Sequence, residues 1–331
     1  MSDPLVTVIL TVFRRTDYLE EAILSVLRQT FASFEVLVTD DANQGTTRAI
    51  CDKFSSDGRV RYRANSTTLG TPLNIAAALH ESRGQYVTIL NDDDLMEPEM
   101  LDRLVHPLEQ FADVVLAFGN HAVIDGCGRH LTIESRNFMR ERRRDGLKTG
   151  VIGESFEFAV RRNLMVVMGC VFRRSACDPD WLVSEVAGAY DYWLVVKLAT
   201  QGLFYFVPEN MMSWRCHVDS VTAKPSPDKF RSEVFIYDSL NKLPLAPELR
   251  QYVHAQLTFF LYLRGYEFLL HGLNRRDAQA ALRRALKLHP SARLFVAWGL
   301  TFMPTSLRRI AIRTWQRTLP LRNNAKLPWE R

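Results

Sequence analysis

Cysteine is scarce in this chain, and its placement excludes two classes of fold. Five cysteines, Cys51, Cys127, Cys170, Cys177 and Cys216, are scattered through 331 residues. Their number is odd, no Cys-x-x-Cys pair occurs and no Cys/His cluster has zinc spacing. Neither a disulfide framework nor a zinc module is expected, and a reduced, cytosolic setting with buried thiols fits. Long apolar runs are also missing: no uninterrupted stretch reaches about 18 residues, so no spanning helix is expected. Met1-Ser-Asp-Pro4 leads directly into a strand-like run without a basic leader, so no signal peptide is expected. A Gly-rich, Lys-bearing phosphate loop is absent, which argues against a nucleotidyltransferase. No nucleic-acid-binding signature appears, and nucleic acid is not an expected partner. Neither sign of charge dominates. The 42 Lys and Arg against 37 Asp and Glu leave a formal +5, which suits phosphates or anionic lipid without selecting between them.

The length allows one large domain or two smaller ones. Residues 5 to 12, Leu-Val-Thr-Val-Ile-Leu-Thr-Val, have the β-branched character of a buried strand. Asp17 and Glu20 have capping-box spacing ahead of a helical stripe of Leu19, Ala22, Ile23, Val26 and Leu27. Strands follow at 34–39 and 60–63, with helices from Gly45 and from Gly70 to Ser82, the second closed by Gly84 as its C-cap. Further strands are expected at 86–90, 114–118 and 203–207, and a strand-like segment at Met212–His217. A helix runs from Tyr190 to Gln201. Strands alternating with helices at this spacing predict an open, mostly parallel α/β sheet, which binds ligands outside the carboxyl ends of its strands.

The stretch that organises the chain is Tyr86-Val-Thr-Ile-Leu-Asn-Asp-Asp-Asp-Leu-Met-Glu-Pro98. A buried strand stops in three adjacent carboxylates, and a helix opens at Pro98. Crowded carboxylates repel unless a cation sits among them, and a hard divalent ion that prefers oxygen ligands answers that need. The alternative is plain helix capping. One Asp suffices for a cap, which leaves Asp94 for that role. Phe13 and Asp41 also stand at carboxyl ends, so the three groups are expected to meet in one crevice.

The middle of the chain, 119 to 165, is less regular. Its charge run, Arg140-Glu-Arg-Arg-Arg144, reads as a solvated face, with contact to a phosphorylated substrate as the second reading. Residues 165–172 form an apolar segment of strand character, and Asp178-Pro-Asp180 is a turn. The tail from about 230 is helical. Residues 257–270 suit a buried helix, and residues 277–288 an amphipathic one. Leu294–Met303 is apolar and is followed by Arg308, Arg309, Arg313, Arg317 and Arg322. Such a pair of segments can lie on an anionic membrane surface. Packing on the first domain, or a homodimer interface, is the alternative.

With these residues identified, the chain resembles the family 2 glycosyltransferases, inverting GT-A enzymes that use nucleotide sugars. The resemblance covers roughly residues 4 to 222 and rests on five motifs in order. They are the strand, loop and helix from Val6 to Leu19, continued by Ala22–Phe31; Phe34–Asp41; Asn91-Asp-Asp-Asp94 in the place of a metal-binding DxD-type motif; Asp191–Gly202, like the segment carrying the catalytic base; and Trp214-Arg-Cys-His-Val-Asp-Ser220, like a loop that closes over the diphosphate. Arg14, Leu73, Tyr190 and Asn91 stand where the family more often has Asn, Arg, Glu and Asp.

The resemblance implies a GT-A, Rossmann-like mostly parallel sheet in residues 1–225 and a helical C-terminal region in 226–331. It implies that Thr11, Phe13, Arg15 and Asp41 hold the nucleotide, and that Asp92 faces the ribose or shares the metal. It further implies that Asp93 ligates Mg²⁺ or Mn²⁺, that Asp191 is the base, and that Arg215 or His217 meets the diphosphate or acceptor. The expected enzyme is a metal-dependent hexosyltransferase, with a UDP-sugar as the favoured donor and a glycan or lipid-linked acceptor, in bacterial surface polysaccharide synthesis at the inner face of the plasma membrane. The alternative is a non-catalytic nucleotide-sugar binding module in a polysaccharide assembly complex.

Overall fold

Strand β1 (Val6–Val12) is buried at every position, and so is β2 (Phe34–Asp40). Apolar, β-branched strands covered on both faces belong inside a parallel sheet. Helix α1 (Leu19–Leu27) connects them, α2 (Gly45–Asp52) leads to β3 (Val60–Ala64), and α3 (Thr71–Glu81) leads to β4 (Tyr86–Asn91). These four strands pair in parallel in the order β3-β2-β1-β4. The chain continues through β5 (Leu95–Met96), α4 (Met100–Gln110), β6 (Val114–Asp125), α5 (Thr132–Glu141), β7 (Gly150–Ile152), α6 (Ser155–Val160), β8 (Cys170–Arg173), α7 (Tyr190–Leu198) and β9 (Leu203–Cys216). The computed structural model describes residues 3–142, 144–161, 169–217, 230–271, 275–304, 307, 308 and 311. Among them the sheet has nine strands, ordered β3-β2-β1-β4-β8-β6-β9-β5, with β7 on β9.

β8 runs antiparallel between β4 and β6, while β6 and β9 run parallel. β8 meets β6 only as far as Phe118–Cys170. Among the described residues no strand lies between β4 and β6 beyond that point, at their carboxyl ends. This is where an open α/β sheet places its ligands.

Several local expectations differ from the structure, each for a physical reason. Gly84 does not cap α3, whose C-cap is Ser82 in extended conformation. A Cβ at Gly84 would stand 2.4 Å from the Thr7 nitrogen, so the glycine lets the chain approach the backbone of β1. Asp17 and Glu20 form no capping box; the N-cap of α1 is Tyr18, without a side-chain cap. Helix α4 starts at Met100 rather than Pro98, because β5 intervenes and pairs with β9. Strand β6 extends to Asp125, and the two segments expected at 203–207 and 212–217 are one strand, β9. It is bulged opposite Gly119–His121, where Pro208 and Glu209 interrupt the ladder. Of the apolar segment at 165–172, residues 165–168 lie outside the described residues.

The chain divides into two units, Met1–Lys224 and Pro225–Arg331. In the second, α8 (Arg231–Asn241), α9 (Pro247–His271), α10 (Arg275–Leu288) and α11 (Ala292–Leu300) pack in sequence. α10 buries Ala278, Ala281, Leu282 and Ala285 along one stripe. Tyr237 stacks on Phe260 at 5.5 Å between ring centres. Among the described residues no helix is long and apolar enough to cross a membrane. Arg309, Arg313, Arg317 and Arg322 lie outside the described residues.

Candidate functional site

The acidic loop follows the carboxyl end of β4, and its three carboxylates are buried. Asp92, Asp93 and Asp94 are 8%, 9% and 0% exposed. Burial of this kind requires donors. Asp94 accepts from the Arg215 backbone N–H at Oδ1 (2.9 Å) and from Asn91 Nδ2 at Oδ2 (3.2 Å). It therefore ties the loop to β9 and does not cap α4, whose N-cap is Glu99. Asp93 Oδ2 accepts from Arg15 Nη2 at 2.5 Å and lies 3.1 Å from His217 Nε2. Asp92 Oδ1 accepts from the same Arg15 nitrogen at 3.4 Å. Crowding still shows. Burial, and then the charge of Asp93, push the Asp92 carboxyl up to about 7 against the pull of Arg15. Burial and Asp93 likewise hold Asp94 well above the usual carboxylate range.

Arg215 is one of two residues expected to meet the diphosphate or acceptor; its guanidinium is 1% exposed and committed to protein groups. Nε donates to the Asp93 carbonyl (2.8 Å) and Nη2 to Glu21 Oε2 (2.8 Å). Nη1 reaches the carbonyls of Asp125 and Gly126 at 3.4 Å each, and the group lies 4.4 Å over the Tyr18 ring. Arg215 thus fastens the acidic loop to α1 and to the end of β6. His217 faces Asp93, with its ring 5.4 Å from that of Tyr18. Residues 218–220 of the expected closing loop lie outside the described residues.

The nucleotide side is built from the ends of β1 and β2. Thr11 Oγ1 donates to Asn91 Oδ1 at 3.2 Å, across the β1–β4 pairing. Phe13 is 45% exposed, and the Arg14 guanidinium lies 4.8 Å over its ring. Arg14 adopts φ +65°, a left-handed conformation uncommon for a residue other than glycine. Asp41 spends its carboxylate on the chain: Oδ1 accepts from Asn65 Nδ2 and Leu69 N, and Oδ2 from Gly70 N, all at 2.8 Å. It fixes the loop that enters α3. Beneath it, Asn74 Oδ1 accepts from Thr39, Asn65 and Arg63, a network without a local pattern because its members come from β2, β3, the loop after β3 and α3. The neighbouring Asp40 takes the N–H groups of Ala42, Asn43 and Gln44 and thereby shapes the start of α2. Only its adjacency to Asp41 signalled it.

Asp191 lies in the first turn of α7, half-buried, where its Oδ1 accepts from the Tyr192 N–H at 2.8 Å. That contact serves the helix start as well as orienting the carboxylate. Its relation to the acidic loop runs through Tyr190, whose hydroxyl is pushed up by desolvation and then by the charges of Asp191, Asp94 and Asp93. Residues far apart in sequence therefore act on one side chain.

Among the described residues no group of three or more His, Cys, Asp or Glu side chains is arranged to hold an ion. The candidate donors are the two carboxylates of Asp92 and Asp93, with Arg15 as the counter-charge and His217 against Asp93. This set fits a hard divalent ion, because Mg²⁺ and its relatives take one or two carboxylates and complete their shell with water and substrate phosphates.

The profile of the family described as Glycosyl transferase family 2 matches residues 7–166. An uncharacterized glycosyltransferase of Methanocaldococcus jannaschii is 26% identical over 220 residues, 65% of this chain and 72% of that protein. Protein CgeD of Bacillus subtilis is 30% identical over 128 residues, 36% of this chain but only 30% of that protein. The UDP-Glc:alpha-D-GlcNAc-diphosphoundecaprenol beta-1,3-glucosyltransferase WfgD of Escherichia coli is 28% identical over 125 residues, 38% of this chain and 49% of that protein. Most of these matches span less than two thirds of the relative's own length. Among solved structures, S. aureus TarS 1–349 with UDP-GlcNAc superposes with a TM-score of 0.65 at 15% identity, covering 92% of each chain. The mannosyltransferase PcManGT of Pyrobaculum calidifontis, with GDP-Man and Mn²⁺, gives 0.55 at 16% identity, covering 95% of this chain and 84% of that one. At such identity these likenesses show a shared GT-A fold. Family profile, relatives and fold agree, and residues 7–166 of the chain carry a glycosyl transferase family 2 domain.

Proposed function

We propose that this chain transfers a hexosyl group from a nucleoside diphosphate sugar, a UDP-sugar being favoured, to a hydroxyl of a glycan or lipid-linked acceptor, with inversion. What supports this reading is the buried acidic loop, where Asp93 lies against Arg15 and His217, together with a half-buried carboxylate, Asp191, in the first turn of α7. A metal-type acidic loop alone suits a nucleotide-binding module. A further carboxylate supplies a general base. The UDP-GlcNAc complex of TarS and the UDP-glucose named for WfgD support the donor class. The diphosphoundecaprenol acceptor named for WfgD supports a lipid-linked acceptor in surface polysaccharide synthesis.

In this reading Thr11, Phe13 and the loop fixed by Asp41 receive the nucleotide. Asp93, with Asp92 and His217 beside it, holds the Mg²⁺ or Mn²⁺, and the Mn²⁺ bound by PcManGT supports that choice. The bound ion supplies Lewis-acid neutralisation of the departing diphosphate. Arg15 lies against both carboxylates, so it exchanges its partners for donor phosphates when the donor enters. Asp191 takes the proton of the acceptor hydroxyl as that oxygen attacks the anomeric carbon. Residues 1–225 carry this chemistry, and residues 226–331 dock it at a membrane surface.

The test is a donor screen followed by Asp191→Asn. The variant is expected to keep its affinity for the donor and to lose transfer by about 10²- to 10⁴-fold, the worth of a general base. Transfer at the parental rate removes Asp191 from that role. Asp93→Ala is expected to abolish the Mn²⁺-dependent part of UDP binding in calorimetry. Unchanged affinity with Mn²⁺ removes Asp93 from the metal site.

A further inference from the structure

A second cleft, of about 590 Å³, lies over β6 on the side of α5. Arg136 and Arg140 line it, with His130 near them, Asn120 and Asn210 from the strands, and a single carboxylate, Asp145. Arg136 and Arg140 stand one helical turn apart, so they share a face of α5. Both are exposed, and among the described residues neither side chain forms an ion pair. Two further arginines of the basic run are otherwise engaged, and Arg143 lies outside the described residues. Arg142 lies 5.1 Å over the Phe138 ring. Arg144 is 2% exposed, donates to the Gly119 carbonyl at 3.2 Å and lies over Phe118. The fold thus sorts the described arginines of a run that reads as a solvated face, leaving Arg140, together with Arg136, to the cleft.

A second observation concerns Asn120. Its Nδ2 donates to the Pro208 carbonyl at 2.8 Å, which fixes the amide. Its Oδ1 is buried and has no partner among the described residues. A buried acceptor without a donor is costly, and a ligand hydroxyl would satisfy it. Two guanidinium forks select a phosphate, which they can bind bidentately. Forks and orphan acceptor together describe one ligand class, a phosphate ester on a polyhydroxylated residue.

The position connects this cleft to the site already described. Ala122 lines it, and three residues further along β6 Asp125 offers its carbonyl to Arg215, about 10 Å away at the rise of a strand. An aromatic row runs the same way: His121 meets Phe138 at 4.3 Å, and Phe138 meets Trp214 at 5.8 Å, next to Arg215 in the chain.

We infer that this cleft binds a phosphate group of the sugar acceptor, with Arg136 and Arg140 as its ligands and Asn120 Oδ1 accepting from a neighbouring sugar hydroxyl. Calling the ligand an acceptor rests on the proposed transferase function; the phosphate binding does not. The phosphate belongs to a soluble sugar phosphate or to a lipid-linked one, and two probes separate these sources. Calorimetry with glucose 1-phosphate uses the full chain saturated with UDP, so that the nucleotide crevice is filled. Co-sedimentation uses vesicles of zwitterionic lipid containing undecaprenyl phosphate. Arg136→Ala/Arg140→Ala is expected to weaken binding at least tenfold in one arm or both, with an unchanged melting temperature. Loss in the soluble arm assigns the free phosphate ester, and loss confined to the vesicle arm assigns the lipid-linked one. Asn120→Ala is expected to weaken glucose 1-phosphate severalfold and leave inorganic phosphate unaffected. Parental binding by the double variant in both arms, or no binding of either probe by the parent, overturns the inference. If the probe binds through the two arginines while no donor supports transfer, the transferase reading fails and the cleft stands.

Discussion

At the scale of single residues, burial decides which titratable groups matter. His121 is 2% exposed and has the edge of Phe138 against it. Burial, then the charges of Arg144 and Arg142, push its imidazole down to about 3. An unfolded chain binds that proton near pH 6.5, and the folded chain refuses it until far lower. The contribution to stability is therefore complete above about pH 6.5 and is lost as the pH falls, by at most about 1.4 kcal/mol per unit. Between pH 7 and pH 5 the parent should lose roughly 2 kcal/mol through this group. His121→Gln should lack that loss, so its urea unfolding curves at the two pH values should lie closer together than the parent's. Parallel losses in both proteins would show that His121 takes up its proton inside the fold. Nothing in the sequence marked this histidine, because its environment comes from α5 and from an arginine that a charge run made appear solvated.

At the scale of elements, the acidic loop is a joint between four of them. β4 delivers it, β9 answers through the Arg215 N–H, α1 through Glu21, and the end of β6 through the carbonyls of Asp125 and Gly126. The guanidinium of Arg215 is the shared member, and it is buried beside carboxylates that are themselves buried. Removing one partner from a buried charge cluster typically costs about 3–5 kcal/mol, because the charges left behind lose compensation. Arg215→Met should cost that order of stability in denaturant unfolding. Glu21→Gln, at the exposed end of the same contact (53% exposed), should cost under about 1 kcal/mol. Equal losses would mean that Arg215 acts through Glu21 alone and not through the loop. The strands of this joint were legible, because apolar β-branched runs that end in acid mark both the burial and the carboxyl end of a parallel strand. Its closures were not. Asp94 reads as a cap until β9 is seen to cross the loop, and Gly84 reads as a helix stop until β1 is seen 2.4 Å from where its Cβ would be. Such contacts join residues that no local periodicity relates.

At the scale of the molecule, the family resemblance covers roughly residues 4 to 222, whereas the tail is read from its apolar spacing alone. The apolar stripes mark α10 and parts of α9 and α11, though not α8, and the surface of the second unit separates packing from docking more clearly than the sequence does. α10 buries its stripe within the unit. By contrast, Phe295 and Val296 on α11, with Phe302 and Leu307 after it, are 57%, 48%, 49% and 53% exposed. Large apolar side chains left outside one short stretch and followed in sequence by Arg309, Arg313, Arg317 and Arg322 match the chemistry of an anionic lipid surface, which takes apolar groups at its boundary and attracts nearby cations. Each phenylalanine fully withdrawn from water contributes about 1.5–3 kcal/mol, so losing even part of two such contacts should weaken membrane binding by about tenfold or more. Phe295→Ser/Phe302→Ser should therefore co-sediment poorly with phosphatidylglycerol vesicles, while the parent binds them and releases them as salt rises. Transfer to a soluble acceptor should be unchanged in the same variant. If the variant binds vesicles as the parent does, the exposed side chains serve another contact; if the parent itself stays in the supernatant at low salt, the docking role of the second unit is wrong.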